Sequence, residues 1–158
     1  MGSIRTPQSD AYYGGAKGHG DMEAYDEEAL PDEQLMAVIE YLIELRGEPE
    51  VMPWDAALAS RGRKLWDEEL ECSGCHEVEA GAGGGSPNFA GRGTQDWIQR
   101  IIRNSGGPDL FEDIAQMPKF EDKLSDAEIE ALAGFVHGLG VPDPKGPALN
   151  AKAPAVER

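Results

Sequence analysis

Hydrophobic residues recur at helical spacing in four stretches of the chain. After Ser125, the residues Ile129, Leu132, Val136 and Leu139 fall three and four positions apart, which predicts a helix with one buried stripe. Ser125 and Glu128 mark its start, because each side chain at that spacing can satisfy a backbone N–H beside the other. Pro31, Asp32 and Glu33 open an earlier helix, with Leu35, Val38, Ile39, Leu42 and Ile43 on its expected apolar face. A third helix is expected from Asp55 to Leu70, with Ala57, Leu58, Leu65 and Trp66 inward. A fourth follows Thr94 and carries Trp97, Ile98, Ile101 and Ile102. No stretch alternates with period two, so the expected fold class is all-α.

The segments between these helices are punctuated by breakers. Residues 79–87 are dominated by Gly and Ala, and Pro49 and Pro53 discourage helix in the linker between the second and third elements. Residues 141–158 are rich in Pro and Ala without an apolar period, and are expected to form an extended tail. With 158 residues, 40% hydrophobic and 28% charged, the chain can build one ordinary domain, or one small domain and part of another. No run is long and apolar enough for a membrane span. A net charge of −16 repels a phosphate backbone, so nucleic acid is excluded as a partner and basic protein surfaces fit better.

Two of the helices belong to a longer internal similarity, at an offset of about 94 to 98 residues. Ile4-Arg5 aligns with Ile102-Arg103, Tyr12-Tyr13 with Leu110-Phe111, and Met22 with Met117. Tyr25 aligns with Phe120, Leu30-Pro31-Asp32 with Leu124-Ser125-Asp126, and Tyr41 with Phe135. The second copy is preceded by a helix, a cysteine motif and a Gly-rich loop, for which the first copy has no counterpart. The apolar face of the helix from Pro31 to Arg46 is therefore expected to lack its partner, unless another polypeptide or an upstream segment supplies it. A shrunken remnant packing on the intact domain is the alternative. The expected organisation is 1–46 as the C-terminal half of a repeat, 47–54 as linker, 55–140 as a complete domain and 141–158 as tail.

The chemistry is concentrated in Cys72-Ser73-Gly74-Cys75-His76. C-x-x-C-H attaches c-type haem: two thiols on one turn reach the two vinyl groups, and the next residue directs its imidazole at the iron. At average composition the pentapeptide arises by chance in about one chain in a thousand of this length. A thiol–disulfide site would sit near a βαβ pattern, which is missing here, and a zinc site needs four ligands where this motif offers three at most. A sixth iron ligand is expected at Met117, in a polar-flanked loop followed by Pro118, rather than at His137, which follows Val136 on the last helix and should point away from the core.

With these residues in place the chain resembles a class I cytochrome c domain from Pro53 to Leu139. The likeness includes Gly62 and Trp66 ahead of the cysteine motif, Ser86-Pro87-Asn88-Phe89 in the loop, Met117-Pro118, and Phe135 on the last helix. It implies covalent haem c, ligation by His76 and Met117, a Pro87 carbonyl that orients His76, and a crossing of the first and last helices through Gly62 and Phe135. It also implies electron transfer, with no residue in a catalytic role. Asn88 to Trp97, Ile102-Arg103 and Met117-Pro118-Lys119-Phe120 are similar to cytochrome c domains attached to bacterial cytochrome b/c-type quinol-oxidising complexes, some of them tandem. That narrower resemblance implies a respiratory or photosynthetic membrane complex such as a quinol:cytochrome c reductase. Cytochrome b and an iron–sulfur or other cytochrome subunit would be partners there, with Arg92 and Trp97 near the haem propionates. Met22 would be a conditional ligand of a second haem, needed only if an upstream or partner half-domain exists. Haem is attached to such motifs outside the cytoplasmic membrane. The expected location is thus the periplasmic side, with attachment through an upstream anchor or partner subunits, and with no leader at Met1. The alternative functions are the haem module of a peroxidase or dehydrogenase, and a thiol or zinc protein.

Overall fold

The computed structural model describes residues 2–9, 22–79, 86–107, 110–111 and 115–140. The tail, the tip of the Gly-rich loop and the Tyr12-Tyr13 pair of the repeat lie outside the described residues. Among the described residues the helices are α1 (Gly2–Arg5), α2 (Asp32–Arg46), α3 (Ala56–Lys64), α4 (Gln95–Asn104) and α5 (Asp126–Gly140), and no strand occurs. The chain divides into two compact units, Met1–Leu45 with Trp54–Cys75, and Arg46–Pro53 with His76–Arg158.

In the first unit, the Pro31 carbonyl accepts from the N–H groups of Gln34 and Leu35 and starts α2, with Asp32 and Glu33 at the positive end of the helix dipole. Asp55 caps α3 by accepting from Ala57 N at 2.9 Å and Leu58 N at 3.0 Å. The buried side chains of α2 are Leu35, Ala37, Val38 and Tyr41; those contributed by α3 and the turn after it are Ala59, Leu65 and Trp66. Tyr41 meets Trp66 edge-on, with centroids 6.0 Å apart at 70°.

Two expectations are corrected here. The apolar face of α2 has a partner, because the absent side chain of Gly62 admits the Ala37 backbone and brings α3 against α2. That close approach turns the buried face toward Ala37 and Tyr41, and leaves Ile39, Leu42 and Ile43 partly buried. On α3, likewise, Ala57 is exposed and Ala59 is fully buried.

The second unit is built on α4 and α5. Thr94 caps α4 through Trp97 N at 3.2 Å, and the expected pair Ser125 and Glu128 caps α5. Ile98 and Ile102 of α4 pack with Ile129 and Ala133 of α5, and Trp97, Phe120 and Leu124 close the edge of this cluster. The stripe expected on α5 is therefore turned: only Ile129 of the four is buried, while Leu132, Val136 and Leu139 are exposed. The reason is that α4 covers the side of α5 on which Ile129 and Ala133 stand one turn apart.

Candidate functional site

The cysteine motif hangs from the end of α3. Beyond Lys64 the helix widens over Leu65–Glu69 into a π-helical turn, closed by Leu70 N on the Leu65 carbonyl at 2.8 Å. Glu71, at φ 51°, reverses the chain in the left-handed region, and Cys72–Gly74 follow as one tight 3-10 turn. The Leu70 carbonyl accepts from the Tyr25 hydroxyl at 3.1 Å, so the segment entering the motif is tied on both sides. The two cysteines are not joined in a disulfide; Cys72 is half-buried and Cys75 exposed. Burial, with the neighbouring Cys75 and Asp67 acting in the same direction, pushes the Cys72 thiol up to about 11. Among the described residues no group of three or more His, Cys, Asp or Glu side chains could hold a metal ion.

His76 is oriented from the loop that follows. Its Nδ1 lies 2.9 Å from the Pro87 carbonyl oxygen. A carbonyl only accepts, so Nδ1 carries the proton and Nε2 keeps the lone pair that an iron ligand requires. Two further bonds clamp the loop onto the segment after the histidine: Phe89 N on the Glu77 carbonyl at 2.9 Å, and Asn88 Nδ2 on the Glu79 carbonyl at 2.8 Å. The Phe89 ring stands 4.9 Å from the imidazole. The Arg92 guanidinium lies over three rings, Trp97 at 5.2 Å, Phe89 at 5.6 Å and Phe111 at 5.9 Å. His76, Pro87, Arg92 and Trp97 therefore share one connected group of contacts in the second unit.

Met117 lies in the loop between α4 and α5. The loop is held by its backbone. Ser105 Oγ donates to the Met117 carbonyl at 3.0 Å, and the N–H groups of Phe120 and Glu121 both reach the Arg103 carbonyl. Ser105, 2% exposed at the end of α4, was not singled out by the sequence; a lone Ser after a helix reads as an ordinary cap.

His137, the rival ligand, is engaged elsewhere: its Nε2 lies 3.0 Å from Glu48 Oε2, which also accepts from Arg46 Nε at 2.7 Å. Burial works to raise the Glu48 carboxyl, but the bonds from His137 and Arg46 outweigh it and hold the group below its ordinary value. Met22 is part-buried in the first unit, its carbonyl accepting from Gln8 Nε2 at 3.1 Å.

The donor set fits haem c: two thiols on one turn, and an imidazole fixed in the metal-binding tautomer beside an aromatic group. Comparison with known proteins agrees. The family model described as cytochrome c oxidase, cbb3-type, subunit III matches residues 57–136. The cbb3-type cytochrome c oxidase subunit FixP of Bradyrhizobium diazoefficiens is 32% identical over 147 residues, covering 87% of this chain and 46% of that protein. Subunit CcoP of the cbb3-type oxidase of Cereibacter sphaeroides is 28% identical over 127 residues, 77% of this chain and 40% of that protein. A nicotinate dehydrogenase component of Pseudomonas putida is 28% identical over 142 residues, 80% of this chain and 12% of that protein. The chain spans less than half the length of each of these relatives. No solved structure matches.

Proposed function

The chain belongs to the cbb3-type cytochrome c oxidase subunit III family, and on that premise we propose that residues 55–140 form its monohaem domain, with Cys72 and Cys75 as the thioether pair and His76 and Met117 as iron ligands. It is a class I c-type cytochrome with covalently bound haem c, and it transfers electrons in a membrane respiratory complex. When bound, the haem supplies reversible one-electron chemistry at iron. The protein's part is to bind, orient and shield. The Pro87 carbonyl keeps the His76 proton on Nδ1 and raises the basicity of Nε2. A thioether paired with an imidazole as iron ligands would favour the reduced state and so raise the potential. Arg92, held over Trp97, Phe89 and Phe111, places a fixed positive charge where the propionates are proposed to lie.

The single observation that carries this reading is the His76–Pro87 bond in a chain whose next upstream residues are the paired thiols. Engagement of His137 by Glu48 supports Met117 as the sixth ligand. Met22 is proposed as a ligand only where a second C-x-x-C-H segment meets it.

The complex we propose is an oxidase of the cbb3 type, because its subunits FixP and CcoP are among the relatives; this replaces the quinol-oxidising b/c complex expected from the narrower resemblance. The redox partners would then be other haem subunits of that oxidase, on the periplasmic side. No helix among the described residues is long and apolar enough to cross a membrane, so attachment through partner subunits or an anchoring segment is part of the proposal. A second reading, an electron-accepting module of a dehydrogenase, is favoured by the likeness to the nicotinate dehydrogenase component. Purification of the tagged chain from native membranes separates the two. Co-purification with a terminal-oxidase catalytic subunit supports the first reading, and recovery with a dehydrogenase catalytic subunit overturns it in favour of the second.

A further inference from the structure

The loop that carries Met117 is held to the end of α4 by one buried side chain. Phe120 and Glu121 are tied to the Arg103 carbonyl, three and four residues beyond Met117. Ser105 is the tie at Met117 itself. Its hydroxyl, on a residue 2% exposed, donates to the Met117 carbonyl at 3.0 Å. Ser105 is in turn held in place by its neighbours: it closes α4 at φ −62° and ψ −19°, its carbonyl accepts from Phe111 N at 2.9 Å, and Ile102, one turn earlier, is part of the buried cluster.

We propose that Ser105 is a positioning residue for the sixth iron ligand: its hydroxyl holds the Met117 backbone so that the thioether would be kept available to the iron. The inference rests on the assignment of Met117 as that ligand and adds to it the group that keeps the ligand on. A buried hydroxyl needs an acceptor, and the Met117 carbonyl is the one that the fold provides. Without the hydroxyl, the Met117 carbonyl loses this partner, the loop would gain freedom, and the thioether would spend more time away from iron. An open iron is reported by two signals that a purely structural role would leave alone. One is the red charge-transfer band of ferric haem ligated by a thioether. The other is the rate at which carbon monoxide binds the ferrous form, which rises with the fraction of time the ligand is off.

The test uses the haem-loaded chain and three variants. Ser105→Ala removes only the oxygen. Ser105→Thr restores a hydroxyl at the same place and serves as the rescue. Met117→Ala reports on the underlying assignment. Expected for Ser105→Ala is a weaker charge-transfer band, a lower reduction potential, and carbon monoxide binding about five-fold faster, the change in an opening equilibrium that follows from losing a neutral hydrogen bond of about 1 kcal/mol. Ser105→Thr should return all three toward the unaltered chain. Met117→Ala should lose the band altogether.

If Met117→Ala keeps the band and the slow carbon monoxide rate, the ligand assignment fails and the role of Ser105 falls with it. If Met117→Ala loses the band while Ser105→Ala matches the unaltered chain in band, potential and rate, the assignment stands and the positioning role is overturned. A Ser105→Ala variant that melts earlier but keeps band, potential and rate has the same meaning: the serine would serve stability alone.

Discussion

Gly62 of α3 and Ala37 of α2 are in backbone contact: a Cβ built on Gly62 would overlap the Ala37 carbonyl oxygen and stand 3.0 Å from Tyr41 Cβ. Elsewhere in a helix, Gly→Ala stabilises by about 0.5–1 kcal/mol through backbone entropy and propensity. Here the sign reverses, because the atom met is backbone and α2 must move as a whole. Gly62→Ala is expected to lower the stability of the haem-loaded chain by about 1–3 kcal/mol, read from the shift of the urea midpoint at constant slope. An unchanged or raised midpoint would mean that α2 does not pack on Gly62.

The loop bearing Pro87 gives a contrast between two neighbours. Pro87 acts through its carbonyl, which any residue supplies, so Pro87→Ala should keep the haem and change the potential little. Asn88 acts through its side chain, accepting from Ala90 N at 2.8 Å and donating to the Glu79 carbonyl at 2.8 Å. Asn88→Ala loses both bonds and should cost about 1–2 kcal/mol, at the low end for exposed partners. Thermal unfolding of the two variants side by side checks the order; a larger loss for Pro87→Ala would contradict it.

Glu48 makes stability depend on acid. Its carboxyl is held below its ordinary value in the folded chain by His137 and Arg46 against the opposing effect of burial. A depressed folded-state value means that the contribution is full above the ordinary carboxylate range and is lost as pH falls through the lowered value. Glu48→Gln should remove that part of the acid-side slope and leave a flatter stability profile below neutrality. A variant whose slope matches the unaltered chain would show that the bonds to His137 and Arg46 do not survive in solution.

Charge should affect how fast electrons arrive. With 30 acidic against 14 basic residues, a basic partner is drawn in by a field that salt screens over about 10 Å at 0.1 M ionic strength. Electron-transfer rates with a small basic redox partner should fall as salt rises. A flat response would confine the charge to a role in solubility.

Much of the site could be read from the chain because its signals are local. Cys72, Cys75 and His76 lie within five consecutive residues, and the caps at Thr94 and Ser125 need only the next three residues, so each was visible without knowing the fold. The helical class followed from periodicity for the same reason. What periodicity could not give is which neighbour covers a stripe. Tyr41 and Phe135 occupy matching places in the repeat, yet Tyr41 is 2% exposed and Phe135 is 67% exposed. Within its own unit Gly62 meets Ala37 and Tyr41, a neighbourhood that periodicity alone does not specify. The π-helical widening at Leu65–Glu69 and the bond from Ser105 to Met117 leave no mark on the pattern either, since both depend on contacts made in three dimensions.

The central claim is a single covalent haem c on Cys72 and Cys75 with His76 as an iron ligand. The most direct measurement is the intact mass and haem absorption of the chain produced in cells that carry out c-type haem attachment, alongside the double variant Cys72→Ala/Cys75→Ala. The account predicts one haem mass added to the unaltered chain, retained after denaturation, and none on the double variant. An unaltered chain with no added mass, or a double variant that keeps the haem through denaturation, would contradict it.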